Sequence, residues 1–463
     1  MRGFWHKICC SKIRMRKAFV IALFFFVLLY IPCFTQDKAK NKYFELPNGF
    51  KVFFVEKETI PLLNIVIGVN LGSKDETEET SGLLHLLEHY ILFRGTELRS
   101  GIEISQDTRR HGAYFNAHTG EDLMTFEISL PSEEVEFALK NQKEILFNLK
   151  LTQEELNDEK EVVLEELSQV QDDPLKYAMA LVYQNLFKNH PYQKPIYGKK
   201  ETIEALTVEQ VNEFYKKYFA PQNCSMAIVG DFSLQDMEGK VRAIFGDLKR
   251  GEFTPPRIEI SPLLEKNVEL EHEMDVKLAY LVMGMIGPDY NNPDLFAIDV
   301  LAEILGQGIN PMLNSVLRGR RNLVQTISMN YNSHKYGGAI LLRFTLDPKN
   351  LTSAKNVAID FLKEARNQNY SKDDFYGEEQ IYAFDYLLSA KNQIKFSIHQ
   401  SQEKGLAVAA SLVRYMLLDE NVLKGSAIEN IERIKSSDLR KAAARYLSKG
   451  KYVIVSIVPK KKE

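Results

Sequence analysis

The chain has 463 residues, enough for two or more domains, and its 45% hydrophobic content supports sizeable cores. A formal net charge of −3 gives no footprint for nucleic acid, which we exclude as a partner. Four cysteines (Cys9, Cys10, Cys33 and Cys224) form no C-x-x-C pair, so a cysteine metal site is unsupported.

Arg2, Lys7, Lys12, Arg14, Arg16 and Lys17 open the chain, and no acid occurs before Asp37. Residues 18–34 are uncharged and mostly apolar, a little short of the roughly 20 needed to span a membrane as a helix. A basic head on such a run reads as a secretory signal peptide, with an uncleaved anchor as the alternative. The solid apolar block argues against an amphipathic mitochondrial leader, and Pro32 before Cys33 argues against lipid attachment. Removing the leader leaves Cys224 alone, so no intramolecular disulfide is available.

After a polar junction at 36–42, Tyr43–Leu46, a turn at Pro47-Asn48-Gly49 and residues 51–55 read as a hairpin. Residues 63–71, rich in β-branched side chains, form a third strand. A helix follows within 81–96, SGLLHLLEHYILFRGT, with Ser81 as its expected cap. His85, Glu88 and His89 make an H-x-x-E-H there. One helical turn puts the imidazoles about 40° apart, placed to share a zinc ion, with a carboxylate beside them that can act on water. Chance gives roughly 0.02 such matches in a chain of this composition.

A short helix at 102–111 and strands at 112–118 and 123–130 come next, with Asn116-Ala117-His118-Thr119 between them. That tetrapeptide reads on its own as a polar hairpin tip. Helices at 131–149 and 152–172 follow. The second carries Glu154, Glu155, Asp158, Glu159, Glu161, Glu165 and Glu166, ordinarily a solvated face, and composition selects no ligand among them. Helices at 174–189 and 207–219, a strand at 224–229 and a helix at 234–248 close the first half. Residues 249–261, with Pro255 and Pro256, read as a linker.

The second half echoes the first. Residues 278–290 match 64–76 as an apolar strand with a glycine followed by an acid, and the apolar helix at 295–306 matches 84–95. Residues 439–446 and 452–458 repeat the helix–strand pair 211–218 and 224–229. His85, Glu88 and His89 fall on Phe296, Asp299 and Val300, so the second half lacks both imidazoles.

Gly82, His85, Glu88, His89, Phe93, Gly95 and Thr96 together resemble the motif of the pitrilysin/insulinase metallopeptidases. The resemblance implies an α+β fold of two homologous α/β-sandwich domains, each an antiparallel-rich sheet covered by helices, forming half of a clamshell. The expected divisions are a signal peptide or anchor at 1–35, a zinc-binding catalytic domain at 36–250, a linker at 251–265 and a metal-free domain at 266–463. The family's glutamate ligand lies about 76 residues past the second histidine, which falls here on Glu166, with Glu165 as its neighbour. Glu159 matches a second family glutamate that supports the site from behind. Asn116, Ala117 and Thr119 match an edge-strand pattern that adds an extended substrate to the sheet. In many relatives an L-R-x-x-x-G-L-x-Y segment reaches over a facing site; here Arg318 fits and Gln325 stands at the tyrosine position.

What the resemblance implies is one Zn²⁺ per chain on His85, His89 and Glu166, with Glu88 as general base. Glu159 is grouped with the catalytic residues, and the substrates are peptides or unfolded polypeptides in a closed chamber. The alternatives are a non-catalytic assembly subunit and a processing peptidase acting on targeting peptides. Gln325 suggests a heterodimer with a related chain carrying the Arg/Tyr pair, ahead of a homodimer. The leader suggests a bacterial protein exported to the periplasm or attached outside the cytoplasmic membrane.

Overall fold

The computed structural model describes residues 40–58, 60–252, 264–418 and 427–461. The expected leader and most of the expected linker lie outside the described residues. Six strands come from the first half: β1 (Lys40–Glu45), β2 (Lys51–Glu56), β3 (Leu62–Val69), β4 (Tyr114–Thr119), β5 (Met124–Pro131) and β6 (Cys224–Gly230). They form one sheet in the order β1-β2-β6-β3-β5-β4. Gly49 permits the first turn: its φ is +89°, and its N–H donates to Leu46 O at 2.8 Å.

The longer helices of this half are α1 (Leu83–Phe93), α2 (Gly101–Arg110), α3 (Val135–Phe147), α4 (Gln153–Asp172), α5 (Pro174–Leu186), α6 (Val208–Tyr218) and α7 (Leu234–Phe245). In β3 the period-two pattern sends Ile65 and Ile67 into a core with Leu84, Leu139, Val163, Val211 and Phe245 of the helices, all fully buried. Val66 faces the opposite side.

The second sheet uses β7 (Val268–Met274), β8 (Ala279–Gly287), β9 (Thr326–Asn332), β10 (Gly338–Leu346) and β11 (Tyr452–Pro459), in the order β7-β11-β8-β10-β9. Without β1, the first sheet follows the same rule: first strand, last, second, fourth, third. Each sheet has one parallel pair, β2 with β6 and β7 with β11, and antiparallel pairing in the other recorded registers. The duplication read in the sequence is therefore a duplication of topology. α8 (Leu295–Ala302) takes the place of α1, followed by α9 (Leu351–Glu364), α10 (Tyr386–Gln402), α11 (Gly405–Leu418) and α12 (Ser436–Ala442).

The halves exchange a helix. α11 lies on the outer face of the first sheet, where Ala409 and Val413 meet Val66, Ala227 and Val229. α5 lies on the outer face of the second, where Ala178, Val182 and Leu186 meet Val282, Leu341, Val453 and Val455. Glycine makes both approaches possible. A Cβ on Gly68 would sit 2.2 Å from Val413 Cγ1, and one on Gly284 would sit 2.3 Å from Val182 Cγ1. The two glycines are equivalent by register, each opposite the second residue of the last strand: Gly68 faces Ser225 and Gly284 faces Val453. Residues 41–463 accordingly form one compact unit. Among the described residues no helix is long and apolar enough to cross a membrane.

Candidate metal centre

α1 carries the H-x-x-E-H. Its sequence, LLHLLEHYILF, lacks glycine and proline, and all its residues from Leu83 to Ile91 are buried. Ser81 is not its cap, contrary to the sequence reading. The helix starts from Gly82 in the left-handed region at φ +92°, and Ser81 Oγ has no partner among the described residues. The buried Glu76 carboxylate does the capping, accepting from Gly82 N at 3.1 Å and Leu84 N at 2.9 Å. Burial raises its pKa to about 8 despite those two hydrogen bonds and nearby Lys194. Gly82 itself is demanded by Gly198, whose Cα lies 2.7 Å from where a Cβ would be.

α4 runs beside α1 and brings two of its many acids to the histidines. Glu166 Oε2 lies 3.6 Å from His85 Nε2 and 3.4 Å from His89 Nε2. One donor atom from each residue falls within 4.8 Å of the others. The exposed Glu165 is not part of this group, so geometry selects Glu166 from the acidic run.

The donor set fits a zinc ion. The separations exceed the usual N–H···O length, yet a tetrahedral centre with ligands at 2.0–2.1 Å has edges of about 3.4 Å. Two neutral nitrogens and one carboxylate oxygen are also the ligand types of hydrolytic zinc sites.

Around the ligands, Glu159 is 3% exposed and divides its oxygens. Oε2 lies 3.5 Å from His89 Nδ1, and Oε1 accepts from Arg94 Nε at 2.6 Å. A proton on His89 Nδ1 turns the Nε2 lone pair toward Glu166. Burial and the neighbouring His89 lower the His85 pKa to about 4. Burial also opposes charging of His89, but Glu159, Glu166 and Glu88 outweigh it and raise its pKa.

Glu88, only 8% exposed, sits between the histidines and β4. Its Oε2 accepts a hydrogen bond from Thr119 Oγ1. Burial raises its pKa, partly offset by Thr119, His89 and His118. Among the described residues β4 ends the sheet order, with no strand beside its outer edge. Ala117 is buried beneath it, and Asn116 Nδ2 donates to Tyr114 OH at 3.2 Å. His118 is exposed, with Nε2 3.4 Å from Glu127, and is not part of the ligand group. Arg318 and Gln325 lie in the second half, both exposed, and no recorded contact joins Arg318 to the histidine cluster.

Two neighbours escaped the sequence reading. Tyr197 packs edge-on against His85 with ring centroids 4.8 Å apart, and Arg94 holds Glu159. The only trace of Tyr197 was its place before Gly198, the glycine that abuts Gly82. Arg94 stood inside the quoted FRGT segment but carried no signal of its own.

Comparison with known proteins gives concordant results. Residues 51–200 match the family model described as insulinase (peptidase family M16), and residues 205–381 match the peptidase M16 inactive domain. A Rickettsia bellii protein named an uncharacterized zinc protease is 25% identical over 87% of this chain and 94% of its own length. A Bacillus subtilis protein of the same description is 21% identical over 90% of this chain and 98% of its own. Among solved structures, a protease from Helicobacter pylori superposes with a TM-score of 0.81 at 21% identity, covering 91% of this chain and 100% of that one. A peptidase M16 inactive domain from Pseudomonas fluorescens gives 0.80 at 21% identity, covering 92% and 99%. The two adjoining matches span well over half of the residues, and the chain belongs to the insulinase, or M16, peptidase family.

Proposed function

We propose that this protein is a zinc-dependent metalloendopeptidase acting on peptides or unfolded polypeptides. The observation that carries the reading is the convergence of His85 and His89 Nε2 on one Glu166 oxygen, with a buried carboxylate, Glu88, one helix position away. His85, His89 and Glu166 would hold one Zn²⁺, which when bound polarises a carbonyl and lowers the pKa of water. Thr119 orients Glu88 through Oε2, and the carboxylate would accept a proton from the attacking water and return it to the leaving amine. An extended peptide pairing with the outer edge of β4, along Asn116, Ala117 and Thr119, would bring its carbonyl beside Glu88. Glu159 and Arg94 hold the His89 ring in place.

The test is to measure zinc in the purified protein and hydrolysis of a mixed fluorogenic peptide pool, before and after chelation. We expect about one zinc per chain and activity lost with the metal and regained on its return. Zinc-free protein with no peptide turnover would favour a non-catalytic assembly role.

The exposed Arg318 and Gln325 motivate a proposal on partners: a related chain supplying an Arg/Tyr pair faces this site in a heterodimer. Native purification with no similar-sized partner would leave the homodimer. The basic–apolar leader supports export, to the periplasm or to an extracytoplasmic, membrane-attached location, which fractionation of cells would test.

A further inference from the structure

The turn between β4 and β5 is held from two sides. On one side Ser73 N donates to Gly120 O at 3.1 Å, Lys74 N to Glu121 O at 3.2 Å, and Lys74 Nζ to Asp122 O at 2.9 Å. A Cβ on Gly72 would lie 2.3 Å from Glu121 O, so backbone meets backbone directly. On the other side the contacts come from distant segments and converge on the Asp122 side chain, which is 3% exposed. Its Oδ1 accepts from Tyr192 OH at 2.6 Å, and its Oδ2 accepts from Lys335 N at 2.9 Å.

Lys335 belongs to the β9–β10 loop of the second half. Tyr192 OH also accepts from Tyr336 N at 3.1 Å in that loop, and Arg414 of α11 donates to Ser333 O at 2.6 Å. The second half therefore grips the tip of the hairpin whose first strand ends at Thr119. Two residues separate Asp122 from Thr119, and Thr119 is the hydrogen-bond donor to Glu88. Tyr192 lies in the segment that continues to Tyr197, the ring against His85.

We infer that Asp122 is a positioning residue: by tying the β4–β5 turn to Tyr192 and the β9–β10 loop, it fixes Thr119 against Glu88 and makes the metal-free half part of the catalytic apparatus. This rests on Glu88 as the base. A carboxylate is needed because both of its partners are donors. Asparagine keeps the size but can accept at only one atom, turning its N–H₂ on the other donor. A misplacement of the Thr119 end of the strand is the kind of small error that costs rate without removing binding groups.

The test uses the full-length protein carrying Asp122→Asn, with Tyr192→Phe as a second variant that keeps the buried ring. We expect kcat to fall about tenfold to a hundredfold with KM and zinc content little changed. In a Thr119→Val background, Asp122→Asn should lower kcat by less than about twofold more, because the contact it maintains is already gone. Hydrogen exchange adds a readout independent of turnover: β4 amides should exchange faster in both variants, while α1 amides keep their wild-type protection. Wild-type kcat together with wild-type β4 exchange in Asp122→Asn would overturn the inference. So would an equal loss of kcat with and without Thr119. A zinc-free wild-type protein that cleaves no peptide would defeat the peptidase reading alone, and exchange in β4 would then decide the inference.

Discussion

Replacing Glu159 with glutamine keeps the shape of a buried side chain and removes its charge. Both of its oxygens face groups that need an acceptor: Arg94 Nε at 2.6 Å and His89 Nδ1 at 3.5 Å. Glutamine has a single acceptor oxygen, so either the guanidinium or the imidazole N–H is left without one. Arg94 has a second acid in reach, Asp158 at 3.4 Å, whereas His89 Nδ1 has no other recorded ion-pair partner. Whichever side the amide oxygen takes, His89 loses the carboxylate charge that polarises it, and with the NH₂ turned toward Nδ1 it loses its orientation as well. Support of this kind is worth about tenfold to a hundredfold in metal affinity, or roughly 1.4–2.7 kcal/mol. The loss of a charge-assisted bond at a side chain that is 4% exposed should also lower the stability of the metal-free fold by about 1.5–3 kcal/mol. Competition against a chromophoric chelator measures the first quantity and denaturant unfolding of the metal-free protein the second. A Glu159→Gln protein with wild-type zinc affinity would refute the role assigned to Glu159.

Other perturbations test the scaffold. Gly68→Ala places a methyl 2.2 Å from Val413 Cγ1 and 2.9 Å from Leu417 Cδ1, so α11 must move off the sheet. Denaturant melts should show a loss of about 1–3 kcal/mol, and no loss would mean that α11 does not pack as described. Glu76 gives a pH dependence. Its folded pKa is raised to about 8, so its contribution to stability is fully present below the unfolded value near 4.5 and is lost as pH rises through 8. Wild-type stability should fall across that window, and Glu76→Gln should flatten that part of the profile. A variant with the wild-type slope would assign the dependence elsewhere. Gln325→Tyr, if the facing-partner proposal holds, should raise turnover of the self-associated protein; unchanged turnover would count against it.

Much of this architecture was legible in the sequence because it rests on periodicity and spacing. The H-x-x-E-H fixes its own geometry on any helix, and a strand such as β3 declares itself by β-branched content. The duplication showed as a strand–helix order that survives when side chains do not. Glu166 was chosen by resemblance and then by distance; nothing in the acidic run of α4 separated it from Glu165. The helix exchange was not legible. An apolar face on α5 or α11 says that the helix is covered, without saying by which sheet, and Gly68 and Gly284 were read only as a repeat feature. Glu76, Arg94, Tyr197 and Asp122 were missed for a related reason. Arg94, Tyr197 and Asp122 act on partners brought close only by tertiary packing, and Glu76 caps α1 from six residues before Gly82, outside the usual capping spacing.

The central claim, that Glu88 is the base at a zinc centre, is tested most directly by comparing wild type and Glu88→Gln for zinc content and peptide hydrolysis in one preparation. The account predicts about one zinc per chain in both and a fall in turnover of about 10²–10⁴-fold in the variant. Near-normal turnover by a zinc-loaded Glu88→Gln protein would contradict it.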